Sequence, residues 1–395
     1  MTMRVLLLSY YYPPDLSAFR VEALVNALLA HGDDKIHIDV LTTQPNRYPS
    51  YTAAQDHTAY QPKLSVSRIA LPTHRSSMWG QAWGFAHYAR GVWRAVQGKP
   101  YDLIVATSSR LMTATLGAAI ARQKQAPLYV DIRDIFADVL PELFPGVRGK
   151  LLAQVFSRLE RITLHHATRI NLVSPGFLGY FSARYPLRTF STFTNGVDDL
   201  FVQTSFWPDT HHEPTRPLKI VYAGNIGAGQ GLEKILPALA ERLANTACFY
   251  VIGDGSTLKE LNEALIKRQV GNVELIAPMP RHTLIHYYRQ ADVLFLHLND
   301  FKAFYKVIPS KLFEYAATGK PILAGLEGYS KAFTLRHIPN ACVFAPADTD
   351  AAVAALARLK LGTTDREAFL REYSRRTIQR RMALDILETV KPKEQ

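Results

Sequence analysis

The stretch Val307-Ile308-Pro309-Ser310-Lys311-Leu312-Phe313-Glu314-Tyr315-Ala316-Ala317-Thr318-Gly319-Lys320-Pro321-Ile322-Leu323 carries both ends of one helix in its own residues. Proline has a fixed φ and no N–H to lose, so Pro309 or Ser310 suits a helix start. Gly319 suits the left-handed stop, and Pro321 prevents continuation. A helix over Ser310–Thr318 sets Ser310, Lys311 and Glu314 on one contiguous face at its N-terminal end. Unpaired amides and the dipole make that end attractive to anions. Lys311 adds a full positive charge, and Ser310 adds a hydroxyl. A diphosphate would fit there, with Glu314 accepting hydrogen bonds from a ribose diol. A surface helix with a chance lysine and a solvated glutamate fits the same residues equally well.

Outward from this helix, short apolar runs alternate with helical spacing in both directions. Upstream strand candidates are Arg4–Ser9, Ile36–Thr42, Ser65–Ala70, Asp102–Thr107, Pro127–Ile132 and Arg169–Val173. Helical spacing falls at Ala18–His31, Gly80–Gln97, Leu111–Gln123 and Gly149–His166. Residues 202–217 hold three prolines and two histidines and read as a linker. A second alternation follows, with strands at Leu218–Ala223, Cys248–Ile252, Val273–Ile276, Val293–His297, Pro321–Ala324 and Ala341–Phe344. Its helices are Gly231–Ala244, Leu258–Gln269, Thr283–Gln290, Ser310–Thr318 and Asp350–Leu361, and Asp365–Val390 reads as one long final helix. The expected fold class is α/β: two doubly wound parallel-sheet domains, Rossmann-like, at 1–201 and 218–365. The terminal helix, 366–395, is expected to cross back to the first domain. Ligands in such sheets bind beyond the carboxyl ends of the strands, so two domains face each other across a cleft.

The chain has 395 residues, 48% hydrophobic and 20% charged, as in a globular protein. No apolar run reaches the roughly 18 to 20 residues of a spanning helix. Val5–Leu8 is too short for a signal peptide core and reads as a strand. Cys248 and Cys342 are the only cysteines; each sits in an apolar run and is expected to be a buried free thiol. A reducing cytoplasm fits that usage. Net charge is +12, and between His57 and Val130 nine basic side chains face one acid, Asp102. Such a bias attracts nucleic acid, an anionic membrane or an anionic substrate. No nucleic-acid recognition motif accompanies it.

Gly253-Asp254-Gly255 follows an apolar strand and reads first as a tight turn, with approach to a donor second. Asp131, Ile132, Arg133 and Asp134 end a strand of the first domain, where a ligand would sit. Asp134 is the preferred group for orienting an acceptor hydroxyl; a structural Arg–Asp ion pair is the competing reading. Pro14, Asp15, Ser17 and Arg20 stand in the first loop, for which only a family resemblance implies contact with an acceptor. No metal site is expected, because the His165-His166 and His211-His212 pairs are adjacent and diverge.

The order of several landmarks resembles the large retaining family of bacterial lipopolysaccharide and capsule sugar transferases, glycosyltransferase family four. The similarity is greatest to its aminosugar branch and spans nearly the whole chain. Leu6–Pro14 resembles the first strand and acceptor loop, and Asp131-Ile132-Arg133-Asp134 resembles a "D-x-R-D" turn. Thr194-Asn195-Gly196-Val197-Asp198 resembles the junction, and Tyr222–Gly227 the start of the second domain. Gly253–Gly255 and Gln290–Val293 match two more. The resemblance implies the two-domain GT-B fold and a nucleotide-sugar substrate, expected to be a UDP-sugar, with no cofactor and no catalytic metal. It implies a retaining transfer, expected of an N-acetylated hexosamine, to a glycan or polyprenyl-diphosphate-linked acceptor.

Donor contacts are then expected from Gly224, Asn225, Gly253, Pro278, Met279, Lys306, Ser310, Lys311, Leu312 and Glu314. Lys311, Asp134 and Arg133 are expected at the reacting atoms. Two departures stand out. Lys306 occupies the first position of the family's Glu-x7-Glu pattern, and Ala228 and Gln230 stand where relatives place a cation. Lys306, Lys302 or Arg133 is expected to compensate. Ser17-Ala18 also replaces a frequent Gly-Gly pair.

Trp79, Trp83, Arg90 and Trp93 fall on one helical stripe, which suits an anionic membrane at headgroup level. Ordinary core packing explains the same aromatics equally well. The expected location is cytoplasmic, peripheral on the inner membrane face, in cell-surface polysaccharide synthesis. A UDP-sugar epimerase of the same fold and an inactive nucleotide-sugar-binding scaffold are the alternatives.

Overall fold

A computed structural model describes the chain except residues 1–2, 16–17, 33–35, 45–61, 73–77, 109, 145, 207–215 and 391–395, with backbone alone at 78, 79 and 143. Ser17 and most of the predicted linker therefore lie outside the described residues. Contacts divide the rest into two units: 1–195 with 375–395, and 196–374.

The first unit is a seven-stranded parallel sheet of order β3-β2-β1-β4-β5-β6-β7. Its strands are β1 Met3–Leu8, β2 Ile36–Thr43, β3 Leu64–Ile69, β4 Leu103–Thr107, β5 Leu128–Ile132, β6 Arg169–Leu172 and β7 Phe190–Ser191. Its helices are α1 Phe19–His31, α2 Met78–Ala95, α3 Leu111–Lys124, α4 Phe136–Leu143, α5 Val147–His166 and α6 Leu178–Arg184. β4 and β5 are buried at every position, which is why they read as unbroken apolar runs. Crossovers between parallel strands are right-handed, so direction of travel sets the face on which a helix packs. β1 to β2 runs one way and puts α1 on one face. β3 to β4, β4 to β5 and β5 to β6 run the other way and put α2, α3 and α5 together on the opposite face. α3 accordingly packs between α2 and α5.

The second unit is a six-stranded parallel sheet of order β10-β9-β8-β11-β12-β13. Its first elements are α7 Asp199–Gln203, β8 Leu218–Ala223, α8 Leu232–Arg242, β9 Ala247–Ile252, α9 Leu258–Lys267 and β10 Val273–Ile276. Then come α10 Arg281–Gln290, β11 Val293–His297, α11 Ser310–Thr318, β12 Ile322–Gly325, α12 Gly328–His337, β13 Ala341–Phe344, α13 Thr349–Arg358 and α14 Glu367–Tyr373. α15, Arg375–Glu388, belongs to the first unit and packs on α1.

The structure departs from the expected boundaries in two places. The final helix is broken at Ser374, whose extended backbone (ψ 136°) ends α14 before α15 begins. α14 stays with the second unit because Phe369 packs on Phe313 of α11, ring centroids 6.2 Å apart. The segment after Gly196, assigned by sequence to the first domain, also joins the second. Phe201 is fully buried there, with its ring 6.0 Å from that of Tyr288. Cys248 and Cys342 are free thiols, but half-buried rather than buried.

Candidate active site

α11 runs from Ser310 to Thr318, with Gly319 left-handed at φ 75° as its stop. A side chain at 319 would also drive its Cβ to 2.6 Å from the Thr364 carbonyl oxygen, so only glycine fits. Leu312, Phe313, Tyr315 and Ala316 are completely buried, which fixes the rotation of the helix. That rotation leaves Ser310 exposed and Lys311 and Glu314 at the rim. The Lys311 ammonium donates to Glu314 Oε2 at 2.7 Å. Burial pulls the Lys311 pKa down, but Glu314 and Tyr315 together outweigh it and the net direction is up. Lys311 therefore stays cationic.

A second cation reaches Glu314 from Arg281, the first residue of α10. Its guanidinium donates to Asp198 Oδ2 at 2.7 Å and to Glu314 Oε1 at 3.4 Å. Glu314 thus sits between two cations. A carboxylate offers about four lone-pair sites, so this pairing still leaves acceptor capacity for a diol. The sequence reading drew Pro278 and Met279 from the loop before α10, but not Arg281. Arg281 was legible as a charge at a helix start, but its partners lie 33 and 83 positions away. Beneath the pair, Tyr288 and Tyr315 meet edge to face at 5.5 Å, and the Tyr315 hydroxyl accepts from the Ala223 N–H at 2.9 Å. Burial raises the pKa values of Tyr222, Tyr288 and Tyr315, so all three remain neutral.

The loop after β8 carries Gly224 and the exposed Asn225, whose amide donates to Gln230 Oε1 at 2.8 Å. Gln230 thus holds Asn225 at a position where relatives were expected to carry a cation. His297 pins the same loop, with Nδ1 2.5 Å from the Gln230 carbonyl and Nε2 accepting from the Ala347 N–H at 2.9 Å. Those partners require the neutral imidazole, and burial pulls its pKa down to about 4. Asn299 adds two bonds, to the carbonyls of Ala228 and Gly229. The Gly253-Asp254-Gly255 turn packs on this loop: a Cβ at 253 would lie 1.9 Å from the Gly224 carbonyl oxygen, and one at 255 would lie 2.2 Å from that of Ile226. Both glycines are needed for backbone approach to backbone. Pro278 is exposed, and Met279 is half-buried against the α10–α11 core. Lys306 is half-buried in a 3-10 turn, Lys302–Lys306, just upstream of α11, and Lys302 is exposed.

In the first unit, Asp134 is exposed and Arg133 half-buried at the carboxyl end of β5. Burial, then the neighbouring Arg20 guanidinium, pulls Arg133 down to about 10. Asp131 of this motif makes a structural ion pair, with Arg20. Asp131 accepts from Arg20 Nη2 at 3.1 Å and from the Asn171 amide at 2.6 Å. Arg20 also donates to the carbonyls of Phe193 and Thr194. With 4% of its surface exposed, Arg20 sits inside this network rather than in an open acceptor loop. Pro14 lies at a turn, preceded by Pro13 through a cis bond, and Asp15 is buried beside it. On α2, Trp83 and Trp93 are 61% and 38% exposed and Arg90 is exposed, while Phe85, Tyr88, Val92 and Val96 fill the core side. The side chain of Trp79 lies outside the described set.

Residues 17–189 match the family model described as "Glycosyl transferase 4-like domain", and residues 203–377 match "Glycosyl transferases group 1". Among curated proteins the chain is similar to the putative colanic acid biosynthesis glycosyl transferase WcaI of Escherichia coli K12. They are 23% identical over 417 residues, covering 97% of this chain and 98% of that protein. Among solved structures, sucrose-phosphate synthase from Thermosynechococcus elongatus superposes with a TM-score of 0.66 at 16% identity, over 98% of this chain and 96% of that one. HepE of Anabaena, in complex with UDP and glucose, gives 0.60 at 15%, over 98% and 97%. The structural likenesses establish the fold.

Proposed function

This chain is a glycosyltransferase of the two-domain GT-B kind, and we propose that it moves a sugar from a UDP-sugar to a glycan or polyprenyl-diphosphate-linked acceptor. The observation that carries this reading is the Lys311–Glu314–Arg281 arrangement at the start of α11. Two cations and the amides of the helix start support a diphosphate here, and the carboxylate between them supports a ribose diol. In the transfer, the bond from the anomeric carbon to the diphosphate oxygen breaks, a bond to the acceptor oxygen forms, and the acceptor hydroxyl's proton passes to the departing diphosphate. Negative charge grows on the leaving diphosphate, and Lys311 with Arg281 offsets it. Asp134 and Arg133 are the acceptor-side groups of this proposal. Retention and an N-acetylated hexosamine donor follow the family resemblance. The likeness to WcaI supports a place in cell-surface polysaccharide synthesis. UDP in the HepE structure supports the choice of base.

No helix among the described residues is long and apolar enough to cross a membrane. The exposed Trp83, Arg90 and Trp93 of α2 support peripheral binding to an anionic membrane, on its cytoplasmic side in this proposal.

The test is thermal stabilisation by a panel of UDP- and GDP-sugars. UDP-sugars are expected to raise the melting temperature, and Lys311→Ala to abolish the rise. Greater stabilisation by GDP-sugars removes the uracil assignment; a full response from Lys311→Ala removes the site.

A further inference from the structure

We propose that the outward face of α5 is a lipid-docking strip that lays the first unit on an anionic membrane surface. Among the described residues thirteen large apolar side chains are exposed, and five fall between positions 144 and 162: Phe144, Val147, Leu151, Val155 and Ile162. That density is out of scale with scattered surface apolars, which need no explanation.

The geometry of α5 gives these residues a common direction. At about 100° per residue, Val147, Leu151, Val155 and Ile162 share an arc of about 80°. Only four of its twenty residues, Gly149, Glu160, Thr163 and Leu164, are buried. Those four centre on the opposite side of the helix. The strip therefore points away from the core and extends about 22 Å along the axis, at about 1.5 Å per residue from Val147 to Ile162.

The anchoring side is well made, so the exposure is not a loosely attached helix. A Cβ at Gly149 would lie 1.8 Å from the Phe144 carbonyl oxygen, so α5 meets the end of α4 backbone to backbone. Thr163 bonds Thr115 of α3 at 2.9 Å, and Glu160 accepts from Tyr185 at 2.9 Å.

Charge selects the occupant. Arg148, Lys150, Arg158 and Arg161 are all exposed, and the one acid of the helix, Glu160, is buried on the far side. Arg158 falls within the apolar arc, while Lys150, Arg161 and Arg148 border it. Apolar anchors rimmed by cations on a helix face that carries no acid match a bilayer interface with anionic headgroups. A second copy of this chain fits worse, because a two-fold contact would set this cationic strip against itself. α2 and α5 lie in the same helical layer, so Trp83, Arg90 and Trp93 belong to the same side of the unit. The strip rests on the membrane reading given above but assigns most of the contact to α5.

Sedimentation of the full chain with vesicles tests it, using phosphatidylcholine alone or with about one third phosphatidylglycerol. The wild type is expected to bind only the anionic vesicles, and less as salt rises from about 0.1 M to about 0.5 M. Leu151→Ser with Val155→Ser and Ile162→Ser is expected to lower partitioning at least about tenfold, from the apolar area lost. Arg148, Lys150, Arg158 and Arg161 changed together to Gln are expected to lower it at least as far. An exposed apolar pair of the second unit, Ile266→Ser with Leu335→Ser, is expected to leave it unchanged. Wild-type circular dichroism and cooperative urea unfolding confirm that each variant folds. Wild-type binding by the α5 variants, with loss in Trp83→Ser/Trp93→Ser, overturns the α5 assignment and leaves the α2 reading standing. No binding of the wild type to anionic vesicles overturns both. An oligomer that the serine triple dissociates, with vesicle binding unchanged, makes the strip a contact between copies and refutes the proposal.

Discussion

Glu160→Gln should make the first unit more stable at neutral and mildly alkaline pH while leaving it unchanged near pH 4.5. Glu160 is 3% exposed, and its carboxyl accepts from the hydroxyls of Tyr185 at 2.9 Å and Tyr180 at 3.4 Å. Burial raises its pKa from 4.5 to about 7, against the opposing pull of Tyr185, Arg184 and Tyr180. The fold therefore favours the protonated acid. Its contribution is complete below the unfolded value of 4.5 and is lost as pH rises through about 7. At 1.36 kcal/mol per pH unit, that interval amounts to about 3 kcal/mol. Glutamine keeps the acceptor oxygen and has no proton to lose. The variant should thus gain on the wild type by up to about 3 kcal/mol near pH 8, less whatever the two tyrosines lose in bonding a neutral amide. Three of the four tryptophans, Trp79, Trp83 and Trp93, lie on α2 in this unit. In a Trp207→Phe background, urea unfolding followed by fluorescence reports on this unit alone. The difference between variant and wild type, measured from about pH 4.5 to about pH 8, isolates Glu160 from every other titration. A constant difference across that range would refute the reasoning, as would a variant less stable at the alkaline end.

His297 should act with the opposite sign in the second unit. Its pKa falls from 6.5 to about 4, so stability is complete above 6.5 and drains as pH drops toward 4; hydrogen exchange of β11 amides should accelerate over that range in wild type and not in His297→Asn. Arg281→Met should weaken UDP binding about tenfold or more, the order expected for a lost charged hydrogen bond, as read by calorimetry, with Arg281→Lys partly restoring it. Arg20→Ala strips the buried Asp131 of its countercharge and should lower stability by about 3–5 kcal/mol in denaturant unfolding. A fully stable Arg20→Ala with only a raised acceptor KM would return Arg20 to the acceptor loop.

The parts of the fold that read well from sequence are those whose signal is local. α11 was bounded to the residue because Pro309 and Gly319 act on their own backbone. β8, β10, β11 and β13 were equally clear, being apolar runs closed by turn residues. α12 escaped because its face has little apolar period, and it opens on Gly328 at φ 67°. β7 has two residues, too few for any pattern. What failed in the site was pairing across distance. Arg20 stands in a loop by sequence and inside a network by structure, because Asp131 comes from a strand 111 positions away. Arg281 was passed over for the same reason. α5 was recognised as a helix, with neither of its sides assigned. Periodicity tells that a helix has two sides but not which side the protein covers.

The first unit is assembled from two separated pieces of chain, 1–195 and 375–395, while the second is continuous. Met382, Ala383 and Ile386 of α15 are fully buried in the same core as Val25 and Leu28 of α1. During synthesis the amino-terminal sheet must therefore wait, with that core uncovered, until the second unit and α15 have been translated. The later-made unit has all its residues first. Chains usually complete their domains from the amino terminus onward; here the order of completion is reversed. The exposed α1 face is then what a nascent-chain chaperone would meet for longest, and the last helix is what releases it.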